Sequence, residues 1–267
     1  MSNHILRQLL VLANHFPGKT TRKSDLKSLI KSLQIIPIEQ ELIRVGPQKD
    51  GGYLLPDDLD GINYCFSPGV ADCSDFEDDL ASRSMHIFLA DRSVEGPAKL
   101  NDQFDFTKKF IASTTSLSDD LITLDQWYKT KLGPPSEDSP EAILQMDIEG
   151  SEYEVLHSVS NPLLNRYRII VIEFHKLYQL ADRFAFNWMA SAINKLLQSH
   201  AVVHIHPNNN RKTLSVHGLK IPATLEITFL RRDRLKPATK KMTFPNVLDF
   251  KCVSSKPDLT LPRCWYE

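Results

Sequence analysis

From Asn63 onward, short apolar runs recur along the chain at 64–66, 86–90, 110–112, 142–148, 168–174, 201–205 and 225–230. Stretches with helical spacing of apolar positions fall between most of them, at 74–83, 117–131, 150–158 and 177–199. Strands that alternate with helices predict βαβ units, and so a parallel sheet covered on both faces. The interval 207–224 is polar and shows no helical spacing, so the last two strands are expected to run antiparallel. The predicted fold is α/β: a doubly wound, Rossmann-like, seven-stranded, mostly parallel sheet with its last strand antiparallel.

Ahead of this core, residues 4–15 and 24–34 have the spacing of two amphipathic helices. Two short strands, 42–45 and 53–55, flank the turn signal Asp50-Gly51-Gly52. Residues 1–40 are therefore expected to be a helical addition that covers the acceptor site or forms a dimer contact, because about 40 residues without disulfide or metal rarely fold alone. Residues 41–235 form the expected core. The stretch 236–267, with Pro237, Pro245, Pro257 and Pro262, is expected to pack on it as an extended tail.

Charge narrows the partners. With 32 basic and 33 acidic residues the chain has no general field for nucleic acid or an anionic membrane, so neither is expected as a partner. No stretch resembles a signal peptide or a membrane span. Cys65, Cys73, Cys252 and Cys264 contain no C-x-x-C pair, which argues against a zinc knuckle and for a reduced, cytoplasmic protein.

In an open parallel sheet, ligands bind beyond the carboxyl ends of the strands. The first strand runs into Ser67-Pro68-Gly69-Val70-Ala71-Asp72, where a glycine lets backbone approach a ligand. The second ends in Asp91, 22 residues after Gly69, an acid placed to accept hydrogen bonds from a ribose. The fourth ends in Asp147-Ile148-Glu149-Gly150, the fifth in Glu173-Phe174-His175 and the sixth in His204-Ile205-His206. Read as strand, each places two polar groups on one side, and such pairs are costly in a core unless they hold a cation, a ligand or a reacting hydroxyl. Asp147, Glu173 and His175 are the expected catalytic residues, as a general base or as ligands of a divalent metal. Gly69, Asp72, Ser74 and Asp91 are the expected cofactor contacts, with Ser113 and Thr114 near an adenine. His204, His206 and Asn209 are expected to act from behind or on the acceptor, and Glu152 to serve the helix N-terminus.

These pieces resemble the FkbM-type family of class I S-adenosylmethionine-dependent methyltransferases. The likeness rests on Asp50-Gly51-Gly52-Tyr53, Phe66-Ser67-Pro68-Gly69, Leu89-Ala90-Asp91, Leu124-Asp125-Gln126-Trp127, Asp147-Ile148-Glu149-Gly150-Ser151-Glu152, Glu173-Phe174-His175 and His206-Pro207-Asn208-Asn209. It implies S-adenosylmethionine as cofactor and O-methylation of a sugar or other small-molecule hydroxyl, so the expected partner is a small-molecule or glycan acceptor; a homodimer is compatible with it. Three alternatives stay open. An RNA ribose 2'-O-methyltransferase would use Lys49, Asp147, Lys176 and Glu226. A metal-dependent hydrolase would use the same strand ends. A non-catalytic cofactor-binding module is kept open by Pro68 and Ala71, which stand where glycine or another small turn former is expected.

Overall fold

The computed structural model describes residues 18–115, 120–240 and 242–267. The expected helix at 4–15 lies outside them. The chain runs through α1 (Lys23–Ser32), β1 (Leu42–Val45), β2 (Tyr53–Pro56), β3 (Tyr64–Pro68), α2 (Asp75–Ala81), β4 (His86–Ala90), β5 (Phe104–Thr107), β6 (Phe110–Ala112) and β7 (Leu121–Thr123). It continues through α3 (Leu124–Leu132), β8 (Ala142–Met146), α4 (Glu152–Ser158), α5 (Asn161–Leu164), β9 (Tyr167–Phe174), α6 (Arg183–Ser199), β10 (His200–Pro207), β11 (Leu214–Val216), β12 (Leu219–Ile221) and β13 (Leu225–Arg231).

Seven strands form one mixed sheet in the order β10-β13-β9-β8-β3-β4-β5. The pairs β8/β9, β3/β8, β3/β4 and β4/β5 are parallel, and β13 runs antiparallel to both β9 and β10. The expected antiparallel last pair is thus found, with β13 inserted between β9 and β10. The third strand differs from expectation. Phe110–Ala112 pairs with Leu121–Thr123 in a small separate sheet, and the edge of the large sheet is Phe104–Thr107, whose apolar/polar alternation spans only four residues after a long polar stretch. The stretch 177–199 is broken at Asp182, which caps α6 by accepting hydrogen bonds from the Phe184 and Ala185 amides.

Period-two alternation sends successive residues of each strand to opposite faces. On one face Phe66, Phe88, Leu144, Ile170 and Phe229 pack under α1, α3, α4 and α6. On the other, Cys65, Ile87, Ile143, Val171 and Leu230 pack under α2 and the β1/β2 hairpin. The second face is therefore covered largely by a hairpin instead of by further helices. Thr228 Oγ1 ties the hairpin down, donating to the Leu54 carbonyl at 2.6 Å. The amino-terminal edge of the sheet is closed by ion pairs. Arg168 and Arg231 both meet Glu141, and Arg234 meets Asp58. The segment 242–267 crosses the sheet and inserts Leu261 and Trp265, both fully buried.

The hairpin face turns polar toward the carboxyl ends of the strands. Buried Ser67 Oγ contacts both Glu77 and, at 2.8 Å, Gln145 Oε1; Gln145 Nε2 in turn reaches the Tyr53 hydroxyl. One hydroxyl has one proton and cannot donate to two acceptors. Both contacts are satisfied when Glu77 is protonated and donates to Ser67, which donates to Gln145. Burial agrees, pushing the Glu77 carboxyl up to about 7 from an ordinary 4.5. With its folded pKa raised, Glu77 holds a proton that the unfolded chain releases, so its contribution to stability is lost as pH rises through that window. Gln in its place keeps the donor and does not titrate. Thermal melts of Glu77→Gln and wild type across the window should show a Tm difference that moves in the variant's favour as pH rises; a pH-independent difference would contradict a buried neutral acid.

Candidate functional site

The site begins where β3 and β8 end side by side. Gly69 has φ +89, and a Cβ there would sit 1.6 Å from the Asp147 carbonyl oxygen, a position no side chain can occupy. Its N–H donates to the Ala90 carbonyl at 2.9 Å, and the Asp147 N–H donates to Pro68 O at 3.2 Å. Three strand ends are thus drawn together at one glycine. Ala71 takes φ 45, so a left-handed position where glycine would be relaxed is filled by alanine. Asp91 steadies it: Oδ2 accepts from the Ala71 N–H at 2.9 Å, and Oδ1 accepts from the Ser93 N–H and hydroxyl at 2.7 and 2.6 Å.

β8 stops at Met146, and Asp147–Gly150 is a turn, with Glu149 at φ 56 and Gly150 at φ 107. Asp147 and Glu149 therefore do not alternate along a strand as the sequence suggested, because the left-handed turn intervenes; Glu149 projects into solvent, 88% exposed. The turn is held by Glu152, whose side chain is wholly buried and whose Oε1 accepts from the Gly150 N–H at 2.9 Å and the Ile148 N–H at 3.3 Å.

The same Oε1 faces His175 Nδ1 at 3.1 Å, and the Glu173 carbonyl lies 3.0 Å from that nitrogen. With Nδ1–H donating to this pair, Nε2 is left as the acceptor. It faces Asp147 Oδ1 at 3.8 Å, Glu149 Oε2 at 3.6 Å and Glu173 Oε1 at 3.6 Å. Tyr153 fixes the backbone, its hydroxyl donating to the His175 carbonyl at 2.8 Å. Burial pulls the imidazole down, but Glu152, Asp147 and Glu149 outweigh it and raise His175 above its ordinary value. Burial, reinforced by Glu149 and Glu152 against His175, pushes Asp147 up to about 7. The Asp147 side chain keeps 28% exposure, yet its Oδ1 is buried and has no hydrogen-bond partner among the described residues. Burial, Asp147 and Glu226 raise Glu173 well above the carboxylate range, and Asn208 Nδ2 donates to its Oε1 at 2.9 Å.

Two cavities meet at Asp50, Asp147 and Glu149. One, about 360 Å³, is lined by Lys49, Gly69, Val70, Asp72 and Cys73. The other, about 150 Å³, is lined by Glu173, His175, Lys176, Tyr178, Asn208 and Arg211.

Of the expected residues, Asp147, Glu173 and His175 converge around one imidazole nitrogen, and Gly69 and Asp72 line the larger cavity. Ser74 is buried and accepts from the Ala98 N–H at 3.0 Å, so it pins the loop after β4 and does not reach the cavity. Ser113 and Thr114 follow β6, outside the large sheet because the third strand lies elsewhere, and line neither cavity. The expected metal trio is divided: ligand atoms close enough to share an ion are offered by Asp147, Glu152 and His175, while Glu173 groups with Asp50 and Glu226. Lys49, Asp147, Lys176 and Glu226 do not line a common cavity. His204 faces Asp249 at 2.9 Å, and Asn209 Oδ1 accepts from the Val253 N–H at 2.7 Å, so both hold the carboxyl-terminal segment and not an acceptor. Sequence reasoning missed Asp50 and Asn208 as site residues and gave Glu152 only its capping role. The Glu152–His175 spacing carries no local signal, since 23 residues separate them.

Residues 89–201 match the family model described as the methyltransferase FkbM domain. That span holds Asp91, Asp147, Glu152, Glu173 and His175, and the protein is a methyltransferase. The chain carries an FkbM methyltransferase domain, as the sequence motifs indicated. No curated protein matches the chain. Solved structures similar to it include a 16S rRNA adenine-1408 N1-methyltransferase variant from Catenulisporales acidiphilia, at 11% identity over 74% of this chain and 98% of that one, TM-score 0.30. A putative RNA methyltransferase from Pyrococcus horikoshii aligns at 10% identity over 79% and 99%, TM-score 0.29. The pyocyanin biosynthetic protein PhzM aligns at 14% over 65% and 52%, TM-score 0.25. Likeness at this level does not discriminate between acceptors. Among the described residues no helix is long and apolar enough to cross a membrane.

Gly69→Ala tests the junction of the strands. The strained φ alone costs about 1–2 kcal/mol, and the backbone clash adds to it. A loss of at least about 2 kcal/mol in urea unfolding is expected, since separating β3 from β8 also opens the sheet; a wild-type midpoint would show that the strand ends can part freely.

Proposed function

We propose that the protein is an S-adenosylmethionine-dependent O-methyltransferase whose larger cavity takes the cofactor and whose smaller one takes a hydroxylated acceptor. The observation that carries this reading is His175, with Nδ1 held by Glu152 and Nε2 turned toward the carboxylates shared by the two cavities. When bound, S-adenosylmethionine supplies an electrophilic methyl group on a sulfonium. The larger cavity suits such a cation. Asp50, Asp72, Asp147 and Glu149 line it against the single cation Lys49, and its volume lies within the usual range of small-ligand pockets, roughly 300–1,000 Å³. Asp91 lines neither cavity and accepts from Ala71 and Ser93, so its part in cofactor binding is to shape the first-strand turn.

His175 Nε2 takes the proton of the acceptor hydroxyl, and Glu152 stabilises the imidazolium that forms. Asp147, on the boundary between the cavities, orients that hydroxyl through its unpartnered Oδ1. Lys176, Tyr178, Asn208 and Arg211 offer donors around the smaller cavity, which suits a sugar or another oxygen-rich small molecule. The division of the acidic groups favours a general base over an ion shared by Asp147, Glu173 and His175.

Binding is tested by calorimetric titration with S-adenosylmethionine; an absence of heat in folded protein would remove the reading. Once an acceptor is found, His175→Gln should lower methyl transfer by roughly 100-fold or more with cofactor affinity kept. Because His175 is raised, the base is blocked by its own proton at low pH, so kcat/KM should climb as pH rises through a value above the ordinary 6.5. Glu152→Gln should move that limb to lower pH. A limb unmoved by Glu152→Gln would take the base role away from His175.

A further inference from the structure

One strand beyond the proposed acceptor cavity, a row of polar side chains crosses the hairpin face of the sheet. Glu173 on β9 stands directly opposite Glu226 on β13, and Glu226 directly opposite His206 on β10. Opposite residues share a face, so three side chains able to bind a metal stand side by side over adjacent strands. Like charges directly opposite are destabilising, and Glu173 and Glu226 are 4% and 7% exposed. The carboxyl-terminal segment closes over the row with a fourth such side chain: Cys252 Sγ lies 3.0 Å from Glu226 Oε1, while His206 Nδ1 lies 3.2 Å from Glu226 Oε2.

We propose that His206, Glu226 and Cys252 form a binding site for a zinc-class divalent ion that fastens the carboxyl-terminal segment to β10 and β13. Ligand atoms of the three lie within 4.8 Å of one another. Around a tetrahedral zinc, bonds of about 2.0–2.1 Å to nitrogen and oxygen and about 2.3 Å to sulfur set ligands roughly 3.3–3.6 Å apart. Cys252 and His206 meet different oxygens of Glu226, at 3.0 and 3.2 Å, so the carboxylate stands between them and small side-chain shifts bring one ligand atom of each to these separations. Nitrogen and sulfur donors select zinc, cobalt or copper over magnesium or calcium. The far nitrogen of the histidine supports the assignment independently. His206 Nε2 is buried in a side chain 3% exposed and has no hydrogen-bond partner among the described residues, but it faces Asp258 Oδ1 at 3.7 Å. A metal-bound histidine commonly turns its second nitrogen to a carboxylate in this way. Asp258 comes from the same segment as Cys252, so ion and segment would hold each other. The ion would also neutralise Glu226 beside Glu173. This site does not rest on the methyltransferase reading.

The test uses the full chain, stripped with chelator and titrated with cobalt(II). One equivalent should bind and give a sulfur-to-cobalt charge-transfer band with tetrahedral visible bands, both removed by an equivalent of zinc. Cys252→Ser should abolish the charge-transfer band, and Glu226→Gln should weaken binding by about tenfold or more. Asp147→Asn should leave both unchanged, which separates this site from the methyl-transfer site. Zinc should also protect Cys252 of the wild type from iodoacetamide, read by mass spectrometry, with Cys73 and Cys264 as unprotected references; this readout needs no variant to fold. No charge-transfer band in wild type, a band that survives Cys252→Ser or disappears in Asp147→Asn, or alkylation of Cys252 unaffected by zinc would overturn the proposal.

Discussion

The close approach of Gly69 to the Asp147 carbonyl is the constraint on which the functional end of the molecule depends. Because no Cβ separates them, the ends of β3 and β8 meet, and the space above the sheet is divided. The first-strand turn faces one cavity and the end of β9 faces the other, with Asp147 on the boundary. In the proposed reading the methyl crosses where the two cavities meet, at Asp50, Asp147 and Glu149. Glu152 makes the boundary rigid from below by taking up the amides of the turn and the imidazole with one oxygen.

The two ends of the sheet treat charge in opposite ways. At the amino-terminal edge each acid is matched by an arginine: Glu141 by Arg168 and Arg231, Asp58 by Arg234. At the carboxyl-terminal edge Asp147, Glu152, Glu173 and Glu226 gather around two histidines, and burial raises Asp147 and Glu173. Replacing a buried ion pair by apolar residues is often tolerated, whereas buried charge without a partner is not kept for stability. The first end holds the sheet together; the second is the end to which the proposed chemistry is assigned.

The alternation of strands with helices and the reversal of the last strand were readable because most strands alternate or run apolar with clear turn residues between. The true third strand, Phe104–Thr107, alternates for only four residues, and Phe110–Ala112, three apolar residues in a row, took its place in the reading. Asp147, Glu173 and His175 were legible from their position at strand ends. Asp50 was not, because its role depends on a hairpin folding across the sheet, and nothing local reports that. Ser74 and Asn209 looked like ligand-binding residues because a polar side chain next to a strand end reads the same whether it meets a ligand or another loop. Cys252 likewise lacks the short spacing that marks a metal ligand; its companions are brought to it by register between strands far apart in sequence.

The cover over His206 and Glu226 is joined to the sheet by contacts between residues 26 to 45 positions apart, so it can detach without any strand leaving the sheet. A molecule that opened there alone would keep its whole sheet while two buried polar groups and the niche filled by Trp265 met water. Its exposed face would be both apolar and acidic, the kind of surface by which quality-control machinery tells a partly folded protein from a folded one.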